Sequence, residues 1–400
     1  MNGMLSVFRN ELRRIVTLWP VFSVMVGALA IYAVLYPQPY RSEVLRRTPI
    51  AVVDQDQTVT SRDLVRRLNA SPDVAVWSVL PDFPAAQRDV FARKTSGILV
   101  VPEGFERELL RGTPSPIALY ADASYFLVYQ RVALGVSGIA RTVGAEVEVR
   151  RLIGLGVDAP LAAAAANPMP LTAIPLFNPQ EGYATYVLPA AFVLILHQTL
   201  LIGVGLLGTL PGAAAARRGR NGTIASPLAT VAGKLLAYLA IEAVLVPLYL
   251  IVLPWCYGIP RPGALLPTLL FAVPFILATG ALGLIIAAAF RNPLAVQLVM
   301  AAVGLPFFFL SGFSWPFEAM PPIARWLAMP VPSTAAIDGF VSLGQLGASL
   351  TDVRSQVLTL LGLTIVYVLG AVLLETRARR IADRGRNPNA ATSSLNTGEA

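Results

Sequence analysis

Few side chains in this sequence combine a reactive type with a useful spacing, and most of those fail on their surroundings. Asp54-Gln55-Asp56-Gln57-Thr58 follows an apolar run, a spacing at which one carboxylate can attack phosphorus while the next serves as acid and base. That reaction also needs a downstream lysine and a paired-acid magnesium site, and no Asp-Asp pair follows. The plainer expectation is an acidic turn that helps to start a helix at Ser61. Gly135-Val136-Ser137-Gly138 offers a serine for which His197 would have to be the base, but the serine falls in a polar segment and the histidine in an apolar run. Gly203-Val204-Gly205-Leu206-Leu207-Gly208 has dinucleotide-turn spacing without the strand that should precede it. Inside an apolar run it predicts close helix packing through small residues. Gly233-Lys234 lacks both the leading glycine and the following Ser/Thr of a phosphate-binding loop, so no ATP hydrolysis is expected of this chain. The single cysteine, Cys256, excludes an intrachain disulfide and a cysteine-based zinc site. No residue is assigned a catalytic or metal-binding role.

His197, the only histidine, and Glu242 remain. Each stands about 13 residues into an apolar run, where an ionised group at bilayer mid-depth costs roughly 2.5 kcal/mol or more. Sequential antiparallel helices would bring the two to similar depth, and the expectation is an intramembrane polar pair. It would either line a substrate path or serve only as an interhelical hydrogen bond.

The elements that position these residues follow from hydropathy. Of 400 residues, 55% are hydrophobic and 14% charged, against about 45–50% apolar and about 25% charged in globular domains. Runs long enough to cross a bilayer occupy 16–36, 184–210, 229–256, 264–289, 294–313 and 355–375. The first resembles a signal peptide after Arg9, Arg13 and Arg14, but its length favours an uncleaved anchor. Residues 37–182 balance 15 basic against 15 acidic residues, so the net charge of +8 belongs to the membrane part. Thirteen of its basic residues lie at the N-terminus, in 211–234, at Arg291 and in the tail, against Arg261, Arg325 and Arg354 on the other side. Positive residues collect inside, so both termini are expected in the cytoplasm, and the basic excess is read as topology rather than nucleic-acid binding.

Between the first two spans, short β-branched runs alternate with amphipathic ones in the order β-α-β-α-β-α-β. The expected fold is therefore an α-helical polytopic membrane protein with six transmembrane helices and an α/β extracytoplasmic domain inserted between the first and second. Its divisions are a cytoplasmic N-terminus and first helix, 1–36; the extracytoplasmic domain with its linker, 37–182; five transmembrane helices, 183–376; and a basic, then disordered cytoplasmic tail, 377–400. The connection 314–352 mixes five prolines with Trp315, Phe317, Trp326 and Leu327, which predicts short re-entrant or interfacial helices tucked against protein.

Five segments together resemble the permeases of ATP-binding-cassette type-2 exporters of the large-ectodomain kind. They are Pro49 to Asp56 with Ser61-Arg62 and Leu64; Gly104-Phe105 with Tyr120-Ala121-Asp122; and Asn178-Pro179 with Gly182-Tyr183. The others are Gly222-Thr223 with Ser226-Pro227-Leu228 and Gly233-Lys234, and Ser311 to Pro316 with Met320-Pro321. The resemblance covers nearly the whole chain and rests on order and topology, since no single motif is specific. It implies a multi-pass permease of the bacterial inner membrane that dimerises with an identical or paralogous permease and exports a hydrophobic or amphipathic molecule. It also implies separate cytoplasmic ABC ATPase subunits that carry ATP and magnesium, with no cofactor in this chain, and leaves room for a periplasmic adaptor protein. The coupling loop it implies comprises Arg217, Arg218, Arg220, Gly222, Thr223 and Pro227. The family usually has acidic residues where Arg217, Arg218 and Arg220 stand, so these arginines are either docking groups of reversed polarity or a topogenic anchor at lipid phosphates. The competing class is a membrane-anchored receptor or assembly scaffold that uses the α/β domain for ligand or partner binding.

Overall fold

The computed structural model describes residues 2–215, 225–290 and 292–386. An amphipathic helix, α1 (Asn2–Thr17), comes first. Among the described residues, six helices long and apolar enough to cross a membrane follow along the chain: α2 (Trp19–Tyr40), α8 (Tyr183–Thr209), α9 (Pro227–Cys256), α10 (Leu265–Phe290), α11 (Pro293–Leu310) and α14 (Arg354–Arg386), the last with its candidate span over Arg354–Ile381. The first begins three residues later than its apolar run suggests, because Pro20 belongs in a first helical turn and the chain breaks at Leu18. Pro247 and Pro254 coincide with a π-helical turn at Leu248–Val252 within α9, the local adjustment that accommodates a missing N–H.

The chain forms two compact units, residues 44–174 and the remainder. In the smaller unit the strands β1 (Thr48–Asp54), β2 (Val74–Leu80), β3 (Gly97–Val101) and β4 (Ala118–Ala121) alternate with α3 (Val59–Ala70), α4 (Phe83–Phe91) and α5 (Phe105–Arg111). Sheet order is β2-β1-β3-β4, with β1 parallel to both neighbours and β4 antiparallel to β3. As a central strand, β1 is apolar on both faces. Ile50 and Val52 pack with Leu64, Leu68 and Phe105 on one side, Ala51 and Val53 with Ala86 on the other. The long α6 (Phe126–Gly154) adds Val132, Val136 and Val143 to the first face, and α7 (Ala159–Ala166) follows it.

The Asp54 loop is a structural lock. Asp54 Oδ1 accepts the N–H groups of Asp56 and Gln57, and its Oδ2 accepts the Ser61 hydroxyl at 2.8 Å. Thr58 and Ser61 form a reciprocal capping box at the start of α3. Partial burial pushes the Asp56 carboxyl up, but the Thr58 hydroxyl and the N–H groups of Glu106, Gly104 and Phe105 outweigh it and hold the group below the usual aspartate range. Both carboxylates are thus committed to holding backbone, as the acidic-turn reading expects, and Ser137 is exposed on α6.

In the larger unit α8 is central, packing against α10, α11, α2 and a short helix, α13 (Pro332–Gly344). Its three glycines face three partners. A Cβ at Gly203 would overlap Met25 of α2, one at Gly205 would overlap Val296 of α11, and one at Gly208 would overlap Ala287 of α10. The glycine spacing therefore serves close packing. The proline-rich connection forms α12 (Pro322–Ala328) and α13, and α13 buries Ser333, Ala336, Ile337, Phe340 and Leu343. At the start of α8, Glu43 accepts the Thr185 N–H and hydroxyl at 3.1 and 2.9 Å. Tyr40, Tyr183, Tyr186 and Phe313 continue a ladder of aromatic contacts there.

Candidate functional site

The site is built around Glu11. On α1 the residues at Val7, Glu11 and Ile15 are fully buried, a stripe of i, i+4 spacing that ought to be wholly apolar. The carboxylate in its middle is held from α9: the Tyr238 hydroxyl donates to Oε1 at 2.9 Å and the Lys234 ammonium stands 3.8 Å from the same atom. Arg14, one turn along α1, reaches Oε2 at 3.4 Å. Lys234 and Tyr238 share one face of α9, since they are four residues apart. Gly233 makes the approach possible, because a Cβ there would lie 2.6 Å from the Met4 carbonyl oxygen and 2.9 Å from Val7 Cβ. Any larger residue forces α1 off α9.

This cluster sits at the ends of the segment that joins α8 to α9. Arg14 Nη2 also donates to the Pro211 carbonyl at 3.4 Å, on the α8 side of the connection. On its α9 side Arg379, near the end of α14, donates to the Ala225 carbonyl and to Thr230 Oγ1, and pairs with Glu375 at 2.9 Å. Ser226 caps α9 by accepting the Ala229 N–H, and Pro227 occupies the first helical turn, where its missing N–H costs nothing. The expected coupling residues Arg217, Arg218, Arg220, Gly222 and Thr223 lie outside the described residues; of that set only Pro227 is placed. What the structure places on either side of them is a pair of arginine ties, one from α1 and one from α14.

His197 and Glu242 are both buried but are not brought together as a hydrogen-bonded pair. Among the described residues, neither ring nitrogen of His197 has a hydrogen-bond partner, and Glu242 Oε2 has none. The imidazole lies among aromatic rings, 6.3 Å from Phe275 of α10 and 5.8 Å from Phe307 of α11. Glu242 continues the Lys234 and Tyr238 stripe by another i, i+4 step. Farther along α9, Tyr249 OH donates to the Leu29 carbonyl of α2 and Tyr257 OH to that of Ala33. Equal depth on successive helices therefore did not produce a hydrogen bond between the two groups among the described residues.

Glu11 escaped the sequence reading because α1 precedes the first span and looks like a polar leader. The signal was present nonetheless: one acid on an otherwise apolar i, i+4 stripe, and one lysine two turns inside an apolar span. Each is costly alone, and each is the natural partner of the other.

Two measurements follow from these contacts. Glu11→Ala or Lys234→Met alone should lower the unfolding free energy of the detergent-solubilised protein by about 3–5 kcal/mol, because each strands a buried charge. Glu11→Leu with Lys234→Met should recover much of that, and purely additive losses would show that the two side chains act independently. For His197→Phe and Glu242→Gln the opposite is expected: their effects on thermal stability should add within about 0.5 kcal/mol. A coupling above about 1 kcal/mol would mean that the groups meet after all.

Residues 15–373 match the family model described as ABC-2 family transporter protein. The probable multidrug ABC transporter permease YbhS of Escherichia coli K12 is 26% identical over 211 residues, which are 51% of this chain and 54% of that protein. The chain thus spans about half the length of that relative. The inner membrane transport permease YhhJ of the same strain is 23% identical over 347 residues, 82% of this chain and 85% of its own. The linearmycin resistance permease protein LnrN of Bacillus subtilis 168 is 24% identical over 327 residues, 76% and 81% respectively.

Proposed function

The chain belongs to the family of ABC-2 transporter proteins, and from that premise we propose that it is the membrane permease of an ATP-driven exporter in a bacterial inner membrane. Separate cytoplasmic ABC ATPase subunits bind ATP and magnesium, and two permeases, identical or paralogous, make up the path. The relatives named for multidrug transport and linearmycin resistance support a hydrophobic or amphipathic substrate. Both termini are cytoplasmic, and the α/β unit is extracytoplasmic, where a periplasmic adaptor protein would find it. The charge asymmetry of the connecting segments supports that orientation.

The observation that carries the coupling role is the pair of ties around residues 216–224. A force applied to a freely hanging loop would be lost in the motion of the chain. Here the flanks at Pro211 and Ala225 are bonded to Arg14 of α1 and Arg379 of α14, and α1 is locked to α9 through Glu11. Closure of a nucleotide-bound ATPase dimer against this connection would therefore move the ends of α1, α8, α9 and α14 as one body. Arg217, Arg218 and Arg220 are the docking groups, pairing in bidentate fashion with carboxylates of the ATPase.

Topology is tested first. In a Cys256→Ser background, Ser71→Cys should react with an impermeant maleimide on intact spheroplasts, and Ser394→Cys only after permeabilisation; the reverse pattern overturns the orientation. Docking is tested by replacing the three arginines with lysine, which keeps the inside charge and removes planar bidentate pairing. Co-purification of the ATPase should fall about tenfold or more with membrane insertion unchanged. Full binding and transport in that variant would return the arginines to a topogenic anchor at the lipid surface.

A further inference from the structure

A cleft of about 570 Å³ opens between the ends of α8, α9, α10 and α14, next to the Glu11 cluster. Its lining is mixed: Val231, Leu284, Ala287, Leu374 and Ile381 give it an apolar side, while Lys234, Arg377 and one carboxylate, Glu375, line it as well. Lys234 is only 6% exposed, and its ammonium makes no hydrogen bond shorter than the 3.8 Å approach to Glu11 among the described residues. Glu11 is itself shared with Tyr238 and Arg14. Arg377 is exposed and has no ion pair among the described residues, whereas its neighbour Arg379 is matched by Glu375. Among the described residues in and beside the cleft, Arg14, Lys234, Arg377 and Arg379 stand against two carboxylates, Glu11 and Glu375, the latter in the cleft wall itself, a local excess of positive charge.

We propose that this cleft is a binding site for an anionic phospholipid, whose phosphate sits between Lys234 and Arg377 and whose acyl chain lies against Leu284, Ala287, Leu374 and Ile381. Depth supports a lipid over a free anion. Lys234 lies seven residues from the start of α9, about 10 Å along its axis, while the interfacial layer on each side of the hydrocarbon core is about 5–8 Å thick. A lysine at that depth reaches the phosphate plane only by extending its stem along apolar surface. A soluble phosphate would gain nothing from the apolar walls, and a zwitterionic lipid would leave the charge excess unmatched. The bound lipid would fasten α14 to α9 and α10 at the end where Arg379 already ties α14 to the start of α9. The inference requires only that the six helices span a bilayer, so it stands or falls independently of ATPase docking.

The test uses the full-length protein purified in mild detergent and titrated with phosphatidylglycerol, phosphatidylcholine or inorganic phosphate. Retained lipid is read by native mass spectrometry and stabilisation by the thermal midpoint. Phosphatidylglycerol should bind at least about fivefold more tightly than phosphatidylcholine, and Lys234→Gln or Arg377→Gln should each weaken that preference about fivefold. Ala378→Trp, which fills the cleft without changing charge, should abolish retention of both lipids at this position. It keeps the proposal testable if Lys234→Gln does not fold. Equal retention of the two lipids, a preference unchanged in the charge variants, or equal stabilisation by inorganic phosphate alone would each overturn the proposal.

Discussion

A fully buried carboxylate is the constraint around which one end of this molecule is arranged. Glu11 is fully buried on the packed face of α1, and a lone ion there would cost several kcal/mol. Its three partners come from two elements: Arg14 on its own helix and Tyr238 on α9 donate hydrogen bonds, and Lys234 on α9 supplies an opposite charge. The same contact solves a problem for Lys234, which would otherwise be a cation inside an apolar helix. Because each group removes the other's penalty, α1 cannot slide or rotate on α9 without exposing both. A direction-sensitive polar lock thus joins a helix outside the apolar spans to one inside them.

Glycine packing and backbone ties extend that lock through the bundle. Gly203, Gly205 and Gly208 let α8 sit closely against α2, α11 and α10 at once, and close-packed interiors transmit displacement rather than absorb it. Arg14 and Arg379 bond the carbonyls of Pro211 and Ala225, so the two flanks of the α8 to α9 connection are joined to the first and last helices described. Such an arrangement suits the proposed coupling, in which work would enter at one end and reach the spans without dissipation.

The α/β unit makes a different use of its acids. Asp54 and Asp56 lie at the end of a parallel strand, where carboxylates in other folds do chemistry, yet every placed contact is to backbone or hydroxyl groups that shape the turn into α3. The result is a rigid small domain in which α3, α5 and α6 cover one face of the sheet and α4 the other.

Period and composition made much of this legible beforehand. Six apolar runs gave six helices, alternating β-branched and amphipathic segments gave the strand-helix order, and a glycine triplet in an apolar run gave helix packing. Each signal is local, because a span or strand must satisfy its own backbone and face its own solvent. The proline-rich connection between α11 and α14 followed only in part: its short helices form and α13 is covered, but Trp315, Trp326 and Leu327, for which cover is expected, stay exposed. What local pattern could not carry was azimuth. His197 and Glu242 fall at matching depth in the sequence, but which neighbour a helix face meets depends on how the whole bundle is rotated, and it set His197 beside Phe275 and Phe307 with no hydrogen bond to Glu242 among the described residues. For the same reason Glu11 and Lys234, more than two hundred residues apart, became partners only in the tertiary structure: each was visible alone as a misplaced charge, and only packing could bring them within reach of each other.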